Sequence, residues 1–304
     1  MEILNYLSNN IANVLKDENI INKMEEIEEI RLRVNQNIIL KLSSEEVVIT
    51  YQVTIRDLLE TLEKVTENSI YTYENQISNG FITINGGHRV GVVGNAVSNN
   101  DKVITISYIS GMNFRIAREI RGCADFIIKE LYKNKEFLNT LIVGAPGSGK
   151  TTLLRDLIRQ ISNGNIYEKG LNVGVVDERN EIASMYKGIP QTDLGMRTDV
   201  ISNIPKTIGI KMLIRSMAPQ VIAVDEIGGK EDAEVIHYAM CSGTKGLFTA
   251  HGNSIYDIKL NPELNELLKN KLIDKIIVLD KTQKEKITEM YALDKEKKEY
   301  KRCL

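Results

Sequence analysis

Residues Gly144-Ala145-Pro146-Gly147-Ser148-Gly149-Lys150-Thr151 have the G-x-x-x-x-G-K-[ST] spacing of a phosphate-binding loop. The apolar run TLIV precedes them and TTLLRDLIRQI follows, so the loop is expected to join a buried strand to a helix. Each residue type has a task. Gly144, Gly147 and Gly149 let the backbone curl until its N–H groups point inward at phosphate oxygens. The helix brings its positive end to the same place. Lys150 has the reach for β- and γ-phosphates, the Thr151 hydroxyl suits Mg2+, and Thr152 completes the nucleotide-binding set Gly144 to Thr152. ATP and Mg2+ are the expected ligands. The alternative, a Gly-rich turn that binds nothing, does not explain why strand and helix flank it in register.

Carboxylates at other strand ends extend the site. VIAVDEIGG reads as an apolar strand tipped by Asp225 and Glu226. Asp225 is assigned to the metal side, and Glu226 to orienting or deprotonating a water for attack on the γ-phosphate. VGVVDERNEI offers Asp177, Glu178 and Glu181, with Glu181 as a competing base. Parallel strands end on one edge, where ligands bind, so Asp177, Glu181, Asp225 and Glu226 are expected to face one site. Alone, the second stretch reads equally well as a turn with an ion pair to Arg179. GLFTAHGNS brings Thr249 and His251 to the same edge, with His251 as a donor near the γ-phosphate or a relay of nucleotide state. A turn histidine packed on a neighbour is its bland reading. His237 falls inside a helical run, and no His/Cys spacing suggests a transition-metal site.

The elements that must position these residues divide the chain in two. Residues 121–304 alternate apolar strands (TLIV, NVGVV, QVIAV, GLFTA, KIIVL) with amphipathic helices, the pattern of a mostly parallel sheet covered on both faces. Residues 1–120 read as a smaller mixed α/β domain. There, EILNYLSNNIANVL and TIRDLLETLEKV have helical spacing, EIRLRV, NIILKL and EEVVIT are short strands, and Gly86-Gly87 suits a hairpin turn in GFITINGGHRVGVVGNAV. The tail DKEKKEYKRCL is charged and expected to be solvated or frayed.

The totals narrow the function. Net charge is −2, and residues 1–118 hold 11 Lys/Arg against 15 Asp/Glu, so no basic field draws the chain to nucleic acid. Three scattered cysteines, Cys123, Cys241 and Cys303, fit reduced thiols in a cytosolic protein. No apolar run reaches the ~18 residues of a membrane span, and the first residues lack a charged-then-apolar signal pattern. A cytoplasmic chain, tethered by another protein if it works at a membrane, is expected.

Several stretches together resemble the stage III sporulation protein AA family, cytoplasmic ATPases of endospore formers: GAPGSGKTT, VVDERNEIA, MRTDV, IRSMAPQVIAVDEIGG and TAHG, with EEIRLRV, GFITINGGHRVGVVGNAV and NFRIARE in the N-terminal part. That family is in turn similar to the ring ATPases of type II secretion and type IV pili. Asp177 to Glu181 fall where those enzymes carry an E-D-x-x-E box, and Thr249 to His251 where they carry T-x-H. DEIGG departs from their GEIRD, and Asp225 restores the ordinary metal-side acid. The resemblance implies a RecA-type P-loop domain behind an N-terminal domain packed over the nucleotide. It also implies a hexameric ring and a membrane-embedded sporulation complex as partner, on the mother-cell side of the forespore. An arginine from a neighbouring subunit is expected in such a ring, with Arg89, Arg115, Arg197 and Arg215 as candidates and Arg89, just after the Gly-Gly turn, foremost. Two other functions compete: a RecA-type nucleic-acid remodelling ATPase, against which the acidic N-terminal part argues, and a nucleotide-binding scaffold with little turnover.

Overall fold

The computed structural model describes residues 2–16, 23–99, 102–166, 168–283, 286–294 and 296–304. The chain forms two compact units, Met1–Arg118 with Tyr186–Gln191, and Glu119–Met185 with Thr192–Leu304.

In the first unit, β1 (Ile27–Arg33), β2 (Asn37–Leu42), β3 (Glu46–Gln52), β4 (Phe81–Thr83), β5 (Arg89–Asn99) and β6 (Lys102–Arg115) make an antiparallel sheet in the order β3-β2-β1-β6-β5-β4. Alternation buries Ile30 and Leu32 of β1, Ile38 and Leu40 of β2, and Phe114 of β6 in one core. Gly86 and Gly87 both take positive φ, 80° and 74°, in the turn between β4 and β5, as their type foretold. The N-terminal helical run is broken in two: a 3-10 turn at Glu2–Tyr6, then α1 (Asn9–Leu15). Ser8 causes the break, because its hydroxyl accepts the Ile11 N–H and starts a new helix. α2 (Ile55–Val65) carries a full capping box between Thr54 and Asp57, and α3 (Glu74–Ser78) follows.

The second unit opens with a short pair, β7 (Tyr132–Lys133) and β8 (Glu136–Phe137). β9 (Thr140–Gly144) leads into α4 (Lys150–Asn163), then come β10 (Val173–Asp177), β11 (Thr198–Ser202), α5 (Lys206–Met217), β12 (Val221–Val224), α6 (Lys230–Cys241) and β13 (Lys245–His251). α7 (Ile255–Leu260), α8 (Pro262–Lys269), β14 (Lys275–Leu279), β15 (Ile287–Asp294) and β16 (Glu299–Arg302) complete it. The sheet order is β11-β10-β12-β13-β9-β14-β15-β16. Pairing is parallel from β11 to β14 and antiparallel beyond. All five expected strands are present. They alternate between two cores: Val175, Ala223 and Leu247 pack on the face with Leu153, Leu157 and Ile161 of α4, whereas Val176, Val224 and Phe248 pack on the face with Ile210 of α5 and Ile236 of α6.

Two elements depart from the sequence-based expectation. β11 extends the sheet beyond β10 with five half-buried residues, too weak an apolar signal to read as a strand. The charged tail is not frayed, because β16 pairs with β15 and Tyr300 donates its hydroxyl to the Ile273 carbonyl at 2.8 Å. A sheet edge takes polar residues when one face stays wet, and Lys301–Asp294 form an ion pair there at 2.6 Å.

β13 carries Thr249 and His251, and its path depends on Gly246. A Cβ there would lie 2.2 Å from the buried Phe248 ring and 2.4 Å from the Met240 methyl. Overpacking of this kind costs about 1–3 kcal/mol. Gly246→Val is therefore expected to lower the urea midpoint of the full chain; a wild-type midpoint would show that Phe248 yields freely.

Candidate functional site

Register brings the chemistry to one edge. His251 lies opposite Gly144 on β9, and Val224, the residue before Asp225, lies opposite Val176 and Phe248. The loops after β9, β10, β12 and β13 thus leave the sheet side by side.

The phosphate loop has the shape its sequence demands. Gly147 and Gly149 take φ of 76° and 91°. A Cβ on Gly144 would meet the Ser148 hydroxyl at 2.3 Å and the Lys150 side chain at 3.1 Å, so only glycine fits. Gly149 caps α4 without a side-chain acceptor, which leaves the first helical N–H groups to an anion. The buried Ser148 hydroxyl has no hydrogen-bond partner among the described residues. Both features fit a nucleotide phosphate. Thr152 continues into the helix, and the Cys123 thiol approaches its carbonyl at 3.8 Å.

Lys150 is buried, 5% exposed, and donates to the carbonyls of Gly144 (2.9 Å) and Ala145 (3.0 Å). Burial pulls its ammonium below the usual lysine range, while the charges of Asp225 and Glu226 work the other way. Lys150 also lies 3.4 Å from His251 Nδ1, and His251 Nε2 meets Glu226 Oε1 at 2.9 Å. This pairing assigns the ring proton to Nε2: Lys150 donates to Nδ1, and Nε2–H donates to the carboxylate.

Thr151 donates its hydroxyl to Asp225 Oδ2 at 2.7 Å. The fully buried Thr249 donates to the other oxygen, Oδ1, and its own oxygen accepts the Glu226 N–H at 2.8 Å. Glu226 has a left-handed backbone, φ 54°, which costs a non-glycine residue about 1–2 kcal/mol. A second bond, Ile227 N–H to the Thr249 carbonyl at 2.8 Å, holds the turn. Each such bond contributes about 1 kcal/mol, more where a carboxylate accepts, which offsets the strain. The role of Thr249 was not legible beforehand; the T-x-H pattern marked it without telling what it binds.

The four carboxylates expected at one site, Asp177, Glu181, Asp225 and Glu226, do line one depression, but Asp177 is already engaged there. Its carboxylate accepts three backbone N–H bonds, from Glu181 (2.7 Å), Ile182 (3.0 Å) and Ala183 (2.8 Å), and it is buried. Burial pushes the carboxyl above its usual range, the three N–H groups pull it down, and Asp225 pushes it up again. Asp177 therefore shapes the loop. Glu181 does line the same depression as Asp225 and Glu226, and Arg155 donates to the Glu181 and Ile182 carbonyls. Arg179 pairs with Glu226 at the end of β12, whereas the turn reading had it pair with an acid of its own stretch.

The other candidates spread out. Arg89 lies on β5 in the first unit with its guanidinium 4.5 Å from the Phe81 ring centre. Arg115 ends β6. Arg197 donates to the Ser162 carbonyl at 3.0 Å. Arg215 is exposed on the last turn of α5. His237 sits beside Cys241 one helical turn on, 3.8 Å from its sulfur.

Fold and site together define the P-loop class of RecA-like proteins built like secretion and pilus ATPases. The structure resembles the Legionella pneumophila ATPase DotB (TM-score 0.58, 16% identity, 90% of this chain and 78% of that one). It also resembles the pilus retraction motor PilT solved with ADP (TM-score 0.55, 18% identity, 86% and 76%). The chain belongs to the family described as sporulation stage III, protein AA, whose profile matches residues 1–298. Stage III sporulation protein AA of Bacillus subtilis (strain 168) is 41% identical over 258 residues, 85% of this chain and 84% of that one. No helix among the described residues is long and apolar enough to cross a membrane.

Thr249→Val keeps the side chain's shape but leaves the Glu226 N–H and one Asp225 oxygen without their partner. A loss of about 1–3 kcal/mol in stability is expected, recovered by Thr249→Ser. Equal denaturant midpoints for Thr249→Val and wild type would contradict the tie.

Proposed function

We propose that this chain is a Mg2+-dependent ATPase that works as a hexameric ring and drives a membrane-embedded complex needed for endospore formation from the cytoplasmic side. One observation carries the reading: Thr151, Asp225, Thr249 and Glu226 form one hydrogen-bonded line beside Lys150 at the mouth of the phosphate loop. Mg2+ keeps most of its waters and is held by phosphates plus one or two protein groups. The Thr151 hydroxyl backed by Asp225 supplies that much, and the ion's contribution is to neutralise phosphate charge.

The protein's own groups divide the work. Loop N–H groups and Lys150 hold the phosphates, and Lys150 exchanges the Gly144 and Ala145 carbonyls for phosphate oxygens. Glu226 accepts the proton of the attacking water, with its position set by Thr249 and His251. Glu181, on the same depression, is the competing base. His251 bridges Lys150 and Glu226 and so is suited to pass on the loss of the γ-phosphate. Arg89 is the proposed cation supplied to a neighbour's site. Its guanidinium lies over the Phe81 ring, a contact that contributes about 0.5–1 kcal/mol. The ring, the complex and the mother-cell location come to this chain from its family and from the fold it shares with pilus and secretion ATPases.

Two substitutions separate binding from chemistry. Lys150→Ala is expected to abolish most ATP binding. Glu226→Gln should bind ATP yet hydrolyse it about 10²–10⁴-fold more slowly, the usual contribution of a general base. A full rate in Glu226→Gln with loss in Glu181→Gln would transfer the role to Glu181.

The biological reading is tested in a spore-forming host that depends on this chain. Cells carrying only Lys150→Ala or only His251→Ala protein are expected to yield few mature spores. Wild-type spore counts from both would leave the chain at most a scaffold.

A further inference from the structure

Glu226 is held at both oxygens. His251 Nε2 takes Oε1 at 2.9 Å, and the Arg179 guanidinium takes Oε2. With Lys150 beyond His251, four side chains form a row: Arg179, Glu226, His251, Lys150. With one acceptor site on each oxygen taken, a water must compete for the remaining lone pairs, so the release of one partner gives it an open oxygen on Glu226.

The structure favours Arg179 as the one that moves. The loop bearing it is pinned at many points. Asp177 takes three of its N–H groups, and the Asn180 side chain closes on Met185 through both its amide and its carbonyl. Glu178 pairs with Lys206 at 3.0 Å, and Arg155 holds two loop carbonyls. The backbone under Arg179 is thus fixed, while its side chain is 66% exposed. Exposed ion pairs contribute only about 0–1 kcal/mol. A terminal phosphate carries more charge than a carboxylate and accepts two N–H bonds from an arginine's planar fork.

We propose that Arg179 distinguishes nucleoside triphosphate from diphosphate within its own subunit: it releases Glu226 and binds the terminal phosphate, and so frees Oε2 for the water only when a γ-phosphate is present. This rests on the nucleotide reading of the site. Charge and geometry make the exchange competitive, since the same guanidinium cannot serve the carboxylate and the phosphate in full at once.

Calorimetric titration of the full chain with a non-hydrolysable ATP analogue and with ADP, each with Mg2+, tests it. Arg179→Gln is expected to lose about tenfold in affinity for the triphosphate, the scale of one charge-assisted hydrogen bond, with ADP affinity unchanged. Arg179→Lys, which keeps the charge but not the fork, should recover only part of the loss. Glu226→Gln, which weakens the competitor, should tighten triphosphate binding, and the gain should vanish when both residues are changed. Equal losses for both nucleotides, or no loss, would overturn the role of Arg179 while leaving the phosphate loop intact. A wild-type chain that binds neither nucleotide would instead overturn the nucleotide reading itself.

Discussion

The site depends on the hydroxyl of Thr249. It is buried between two parallel strands, donates to Asp225 and accepts from the Glu226 N–H. Asp225 in turn accepts from Thr151 at the start of α4. One side chain on β13 therefore ties the end of β12 to the helix that carries the phosphate loop. Without it, a left-handed Glu226 and a carboxylate at a sheet edge would each need another partner. The strain at Glu226 is of the size that two ordinary hydrogen bonds offset. Its persistence follows from the tie, and it aims the Glu226 side chain at His251 and Arg179.

Around that frame the charges are arranged so that neighbours compensate. Lys150 is buried, which disfavours its charge, yet Asp225 and Glu226 lie close enough to favour it. His251, half exposed, connects lysine and glutamate without burying a further charge. Arg179 lies at the wet end of the row, where an ion pair is weak and readily exchanged. Rigid backbone below and exchangeable side chains above are the combination a ligand-responsive site requires, because the loop need not refold when partners change.

The glycines divide between two physical roles. Gly147 and Gly149 are needed for their backbone angles, whereas Gly144 and Gly246 are needed because a side chain would strike a buried neighbour. The first role is readable from a loop motif. The second appears only when the facing residue is known, and for Gly246 that neighbour, Phe248, is on the same strand and turned back over it.

The sequence by itself determined the phosphate loop, the five parallel strands and the carboxylate tips, because each is a local signal: glycine spacing, continuous apolar runs, acids where such runs stop. It left the two readings of Asp177 to Glu181 open. Only the tertiary structure decided that Asp177, though it lines the depression with Glu181 and Arg179, spends its carboxylate on its own loop's N–H groups, since that depends on which backbone groups the turn leaves unpaired. The same holds for the tail, whose charges read as solvated until β15 offered it an edge to pair with. It holds again for Thr249: a threonine in an apolar strand is an ordinary β-former until the neighbouring strand's register brings Asp225 and Glu226 to its hydroxyl. Local patterns record what one segment can do, and long-range pairing selects which of those possibilities the folded chain uses.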